Sequence, residues 1–196
     1  MEILPVTLTG DFVRLEPLSE AHIPCLAAVG LAPHLWQYNP YGNVDSVEKM
    51  AALVSTLLAR QQKGTDLPFT VLQCATNHVI GMTRYLDIQP ENRALEIGGT
   101  WYAVAFQRTA ANTECKYLLL SHAFETLGCL RVQFKTDLRN ERSQRALERI
   151  GATREGVLRS HLLLSDGYLR SSVYFSIILN EWPAVKVRLE QLLAHP

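Results

Sequence analysis

The sequence predicts an α+β fold: a mixed, mostly antiparallel sheet flanked by helices in an α/β sandwich. Three observations predict it. Segments that alternate apolar and polar residues interleave with segments of helical period. Turn residues recur between the alternating runs at hairpin spacing. The 196 residues, 47% hydrophobic and 19% charged, show no repeat, low-complexity tract or linker, so residues 1–196 are expected to form a single domain with a sizeable core.

The elements follow in order. "FVRLEPLS", from Phe12, alternates and ends at a proline, as a first strand does. Ser19 caps a helix through about Leu31, with Glu20 in its first turn. "LAPHLWQYNPYGNVD" is aromatic and turn-rich and reads as an irregular loop. Asp45 or Ser46 caps a second helix, with Val47, Met50, Ala51, Val54, Leu57 and Leu58 at helical spacing, ending before Gly64. "LPFTVLQ", "VIGMTRYLDI" and "RALEIGGTWYAV" form an antiparallel meander. A helix from Asn112 to Leu127 buries Tyr117, Leu120, Phe124 and Leu127 and ends at Gly128. "RVQFKTDL" is a strand. "NERSQRALERIG" is a short helix capped by Asn140 and closed by Gly151. "GVLRSHLLL" and "SSVYFSIIL" pair through the turn "SDG", where Asp166-Gly167 is hairpin chemistry. "NEWPAVKVRLEQLLAHP" is a closing amphipathic helix with Pro183 in its first turn.

Bulk properties exclude several classes. Formal charge is +0, which does not suit direct nucleic-acid binding. Residues 1–98 hold 6 Lys+Arg and 10 Asp+Glu, while residues 99–196 hold 13 and 9, so an anionic ligand is expected on the C-terminal half. The four cysteines form no CxxC and have no histidine at ligand spacing, so neither a metal site nor a disulfide framework is expected. The N-terminus lacks the pattern of a signal peptide, and no apolar run has the length of a membrane span. A cytoplasmic protein is expected.

The order of elements, with "NERSQRALERIGATREGVLR" matching an Asn-x-x-Ser…Gly pattern after the fifth strand, resembles the GCN5-related N-acetyltransferases (GNAT). "LTGDFVRLEPLS" and "NEWPAVKVRLEQLL" resemble their RimJ/RimL branch, which acetylates N-terminal amines of ribosomal proteins. The likeness spans nearly the whole chain. It implies the GNAT fold, with the fourth and fifth strands splayed and the pantetheine arm of acetyl-CoA lying in the gap. Acetyl-CoA is the implied co-substrate, with no metal.

The resemblance also implies where to look for the site. The family's phosphate cradle, Gln/Arg-x-x-Gly-x-Gly/Ala, lines up with Gln107, Arg108, Thr109, Ala110, Ala111 and Asn112, and the start of the helix extends it to Thr113. Alanine offers the same backbone N–H as glycine. It resists positive φ, so the loop is expected to use ordinary dihedrals, with Asn112 as N-cap. Tyr102, Ala103 and Val104 would bond the pantetheine through the strand edge. Ser143 is the candidate proton donor to the leaving thiolate, or a residue that merely favours a helix start. Asn140 is an N-cap that can also touch pantetheine. Glu96, facing opposite to Leu95 and Ile97, is the candidate base, or an exposed strand residue. An N-terminal amine, with a pKa near ~7.7–8, needs no strong base. His161, Trp36 and Tyr38, with Tyr41, are candidate acceptor contacts or ordinary packing. Arg142, Arg145 and Arg149 reach the nucleotide phosphate, bind a nucleic-acid-rich partner such as a ribosome, or form a solvated face.

The expected function is acetyl transfer to a protein N-terminal amine by direct attack in a ternary complex. Two alternatives stand beside it: a small amine acceptor (polyamine, amino acid or antibiotic), and a CoA-sensing or interaction module. The apolar "SSVYFSIIL" suggests either a homodimer contact or a core strand.

Overall fold

The structure is a computed structural model that describes residues 1–164 and 166–195. Its eight strands are β1 (Leu8–Thr9), β2 (Val13–Pro17), β3 (Leu67–Gln73), β4 (Val79–Gln89), β5 (Ala94–Tyr102), β6 (Arg131–Asp137), β7 (Thr153–Leu163) and β8 (Leu169–Ile178). They form one sheet in the order β1-β2-β3-β4-β5-β6-β8-β7. Every neighbouring pair is antiparallel except β5 and β6. The helices are α1 (Ile23–Gly30), α2 (Val47–Gln62), α3 (Ala110–Ser121), α4 (Glu141–Arg149) and α5 (Trp182–Ala194). None of them is long and apolar enough to cross a membrane among the described residues.

Each face of the sheet has its own core. On one, Leu95, Ile97, Val132 and Phe134 pack with Leu119 of α3 and Leu189 of α5. On the other, Met82 and Trp101 pack with Leu26 of α1 and with Met50 and Leu57 of α2. The central strand β3 is covered on both sides, so it reads as a nearly continuous apolar run.

Two irregularities in the sheet shape the site. Between β4 and β5 the register passes from Met82↔Trp101 to Arg84↔Gly98, which places one extra residue in β5. Gly99 takes it up at φ +58, the geometry of a glycine bulge. Side-chain parity flips there: Leu95 and Ile97 face the α3 core, whereas Trp101 faces α1 and α2. Immediately before the bulge, β5 and β6 stop pairing. They match at Ala94↔Arg131, Leu95↔Val132 and Glu96↔Gln133, and no further. Beyond that point β5 stays with β4 through Tyr102, and β6 stays with β8 through Asp137. A bulged strand bends and twists, so the bulge carries β5 away from β6. This is the expected splay of the fourth and fifth strands; two-residue β1 makes them β5 and β6 here.

Several boundaries differ from expectation. Ser19 precedes a 3-10 turn, Glu20–His22, and the His22 ring accepts the Ser19 N–H (3.2 Å) before α1 begins. Ser46, not Asp45, caps α2 by accepting the Lys49 N–H. Helix α3 begins at Ala110 rather than Asn112 and runs into a π turn, His122–Thr126, that ends before Gly128. Its buried face holds Ala111, Cys115, Leu119 and Leu120, while Tyr117 is only partly covered. The strand β8 lies inside the sheet between β6 and β7, which accounts for its apolar sequence and removes that cue for a homodimer. In the β7–β8 turn Gly167 takes φ +84 and the Asp166 carboxylate accepts the Tyr168 N–H (3.0 Å); Ser165 lies outside the described residues.

Candidate functional site

A cavity of ≈ 870 Å³ runs through the gap between β5 and β6, from the start of α3 to the loop after α1. Eight of its lining side chains are Lys or Arg and one, Glu96, is a carboxylate. Six of the eight basic residues come from the C-terminal half, the half on which the charge balance led an anionic ligand to be expected.

At one end is the segment that the resemblance aligns with a phosphate cradle. Gln107, Arg108, Thr109, Ala110, Asn112 and Thr113 line the cavity. Thr109, not Asn112, is the N-cap: its Oγ1 accepts the Ala111 N–H (3.3 Å) and donates to the Phe106 carbonyl (2.8 Å). The loop does not keep ordinary dihedrals throughout, because Arg108 sits at φ +61, the left-handed region a glycine would favour. The remaining N–H groups of the first turn have no partner one turn back and point out of the helix start. Ala111 is fully buried and does not line the cavity. Asn140 caps α4, its Oδ1 accepting the Ser143 N–H (3.1 Å), and both residues line the cavity. Two arginines brace the two helix starts: Arg142 donates to Gln107 Oε1 and Arg149 to Thr113 Oγ1, both at 2.7 Å. Arg145 instead pairs with Glu141 in solvent and does not line the cavity.

The strand edge offers less than the sequence suggested. The Ala103 N–H is engaged by the Ile80 carbonyl (2.8 Å), and the Tyr102 carbonyl accepts from Gln107 Nε2 (3.2 Å). Val104 has left the strand for a 3-10 turn and is 58% exposed. Tyr102 lines the cavity; Ala103 and Val104 do not.

Glu96 occupies the last paired position before the gap opens and is 2% exposed. It is therefore not the exposed strand residue that the sequence left open. Burial pushes its carboxyl above the usual glutamate range, and Lys135, 3.3 Å away, opposes that rise only in part. Gln133 Nε2 donates to it at 3.5 Å.

At the other end, toward the loop after α1, the aromatic residues divide. Tyr38 and Tyr41 line the cavity, and the Tyr41 hydroxyl accepts from Arg84. Trp36 does not: it is 3% exposed, donates Nε1–H to the Gly30 carbonyl (2.7 Å) and packs on Trp101, so it is a core residue. His161 also lies off the cavity, bonded through Nδ1 to Ser172 Oγ (3.0 Å) and edge-on to Tyr174. Burial, with Lys135 and Arg170 nearby, lowers its pKa.

Sequence reasoning missed the buried cations of the walls. Arg84 pairs with Asp66 at 3.2 Å, with both side chains 4% exposed. Arg170 is buried and donates to the Tyr38 carbonyl (3.3 Å). Lys116 of α3 faces the gap from the other side of the sheet. An arginine or lysine inside an amphipathic segment reads as a solvent contact, and only the paired carboxylate of Asp66 was there to suggest otherwise.

A parallel strand pair that parts beside a helix start, with a carboxylate at the parting point, is the architecture that the family resemblance implies. Residues 13–153 match the model of the acetyltransferase (GNAT) domain family, and the chain belongs to that family. It is an acetyl-transferring enzyme. A provisionally named acetyltransferase from T. thermophilus is 41% identical, with a TM-score of 0.89 over 98% of this chain and 100% of that one. The Bacillus subtilis protein YoaA, an uncharacterized N-acetyltransferase, is 25% identical over 85% of this chain and 94% of its own length. Mycobacterium smegmatis RimJ, solved in complex with CoA-disulfide, shares the fold with a TM-score of 0.82 at 23% identity, over 96% of this chain and 95% of that chain.

Proposed function

We propose that the protein transfers acetyl from acetyl-CoA to a primary amine by direct attack in a ternary complex, and that the amine is a protein N-terminus. Acetyl-CoA supplies an activated thioester. The residues present suit it: helix-start N–H groups and basic side chains at one end for phosphates, and an open strand gap for the pantetheine arm. Glu96, buried at the parting point, carries the reading. Its raised pKa makes it a stronger base than a solvated glutamate, and its position in the cavity lining supports a role in accepting the amine's proton, directly or through water. Ser143, Asn140 and Tyr102 would meet the pantetheine end, and Tyr38 the acceptor. The cationic lining works against polyamines and other polycationic acceptors, which it would repel. RimJ-like architecture supports a protein N-terminus instead. A buried carboxylate lining the gap favours an enzyme over a non-catalytic CoA sensor.

The test is calorimetric titration with acetyl-CoA, with CoA and ADP as controls, followed by acetylation assays on N-terminal peptides and small amines. Ala110→Pro serves as the cradle variant, since proline fits the first helical position yet removes one N–H. Micromolar binding weakened about tenfold in that variant is expected. No binding at millimolar ligand would overturn the proposal.

A further inference from the structure

Lys116 is not used by the reading above, on which this inference rests. It sits mid-helix in α3, is 6% exposed and lines the cavity. Its Nζ touches both sides of the gap. It lies 3.3 Å from Thr100 Oγ1 on β5 and 5.4 Å from the Phe134 ring centroid on β6. Among the described residues it forms no ion pair. The groups that face it are Cys115 on its own helix, Glu96 and Thr100 from β5, and the Phe134 ring from β6. Thr100 is in turn bonded to Thr83 of β4 (2.8 Å). Glu96 acts on it only from beyond ion-pair distance, so among the described residues no carboxylate in contact offsets the desolvation of this buried ammonium. A titratable group perturbed by burial and lining a cleft is a candidate for function.

We infer that Lys116 presents its ammonium to the thioester sulfur lying in the β5–β6 gap and serves as the proton donor to the leaving thiolate. The acceptor nitrogen bonds to the acyl carbon, the carbon–sulfur bond breaks, and the sulfur leaves with the electron pair. Lys116 Nζ–H then protonates the sulfur. The proton lost by the acceptor nitrogen, taken up by Glu96 and passed to solvent, leaves solvent free to return one to Lys116. The chemistry matches the group. Burial lowers the Lys116 pKa to about 8, close to the ~8.5 of a cysteine thiol, so little driving force is lost in the transfer. A serine hydroxyl such as Ser143 is a far weaker acid and carries no charge to hold a thiolate.

The experiment follows the ultraviolet absorbance of the CoA thiolate against pH, with free CoA bound to the wild type, Lys116→Met, Lys116→Arg and Ser143→Ala proteins. A cation beside the sulfur should raise the acid dissociation constant of the bound thiol at least about tenfold over free CoA. The effect should be lost in Lys116→Met and kept in Lys116→Arg and Ser143→Ala. Lys116→Met should also melt at a higher temperature than the wild type, because it removes an uncompensated buried charge. A bound thiol that titrates alike in wild type and Lys116→Met would overturn the inference while leaving the acetyl-transfer reading intact. So would an acetyl group found on Lys116 by mass spectrometry after incubation with acetyl-CoA, which would make the amine a nucleophile. Failure of CoA to bind the wild type would overturn both.

Discussion

At the level of single residues, Glu96 joins two properties that rarely coincide: an apolar strand neighbourhood and a water-facing cleft. Its folded pKa is raised by burial, so as the proposed base it is ionised only above a pH higher than that of an ordinary glutamate. Activity should fall as pH drops through that raised value, giving an acidic limb displaced upward. Glu96→Gln should abolish this limb and lower kcat/KM by about a hundredfold or more, while acetyl-CoA affinity measured by calorimetry is unchanged. Linkage gives a second sign. A carboxyl with a raised folded pKa stabilises the fold below its unfolded pKa, and that contribution is lost as pH rises through the folded one. Near neutral pH Glu96→Gln should therefore melt no lower than the wild type. The facing of Glu96 was legible because alternation along "ALEIGGTW" set it against Leu95 and Ile97, whereas its burial was not. For Trp36 the sequence left acceptor contact and packing both open, because a tryptophan in a turn-rich loop looks like a ligand platform until its indole N–H is seen bonded to Gly30. The lysine at 116 was invisible, since nothing local distinguishes a buried lysine from a solvated one.

Among elements, β5 has the most consequential shape. The consecutive Gly98 and Gly99 carry the signal of a bulge, and reading "EIGGTWY" as an unbroken strand misses the parity flip. Gly99→Ala would place a Cβ 3.0 Å from Arg84 Nε at a φ of +58. It should cost about 1–2 kcal/mol in chemical denaturation and weaken catalysis by moving Glu96 relative to the gap. A second element-level device ties the start of the chain to α3. The buried Glu114 carboxylate accepts the N–H groups of Asp11, Phe12 and Val13 at 2.9, 2.8 and 2.6 Å. Glu114→Ala strands three donors at the head of β2 and should destabilise the protein by about 3 kcal/mol in denaturant titration. Most elements were readable from period and turns. The start of α3 was not, because threonine, alanine and asparagine all suit a helix start and only the Thr109 hydroxyl geometry settles which one caps it.

Across the whole molecule, the charge asymmetry between the two halves of the sequence becomes a spatial one. The C-terminal half supplies most of the basic walls of the cleft, although the net charge is +0. Affinity for CoA should therefore fall as salt is raised from about 0.05 to 0.5 M, more steeply than expected for a neutral ligand, and calorimetry across that range would register it. The fold class and the element order could be read from the sequence because each follows from local periodicity. The convergence of Arg84, Arg170 and Lys116 on one cavity could not, because it depends on strands far apart in the chain. The parting of β5 from β6 has a dynamic counterpart. The sheet is two blocks, β1–β5 and β6–β8, joined at mid-sheet by only three paired positions. In amide hydrogen–deuterium exchange without ligand, the facing edges of residues 97–102 and 134–137 should exchange as though they were rim strands. Bound CoA should slow them together, because it would act as the missing rung between two halves that otherwise breathe apart.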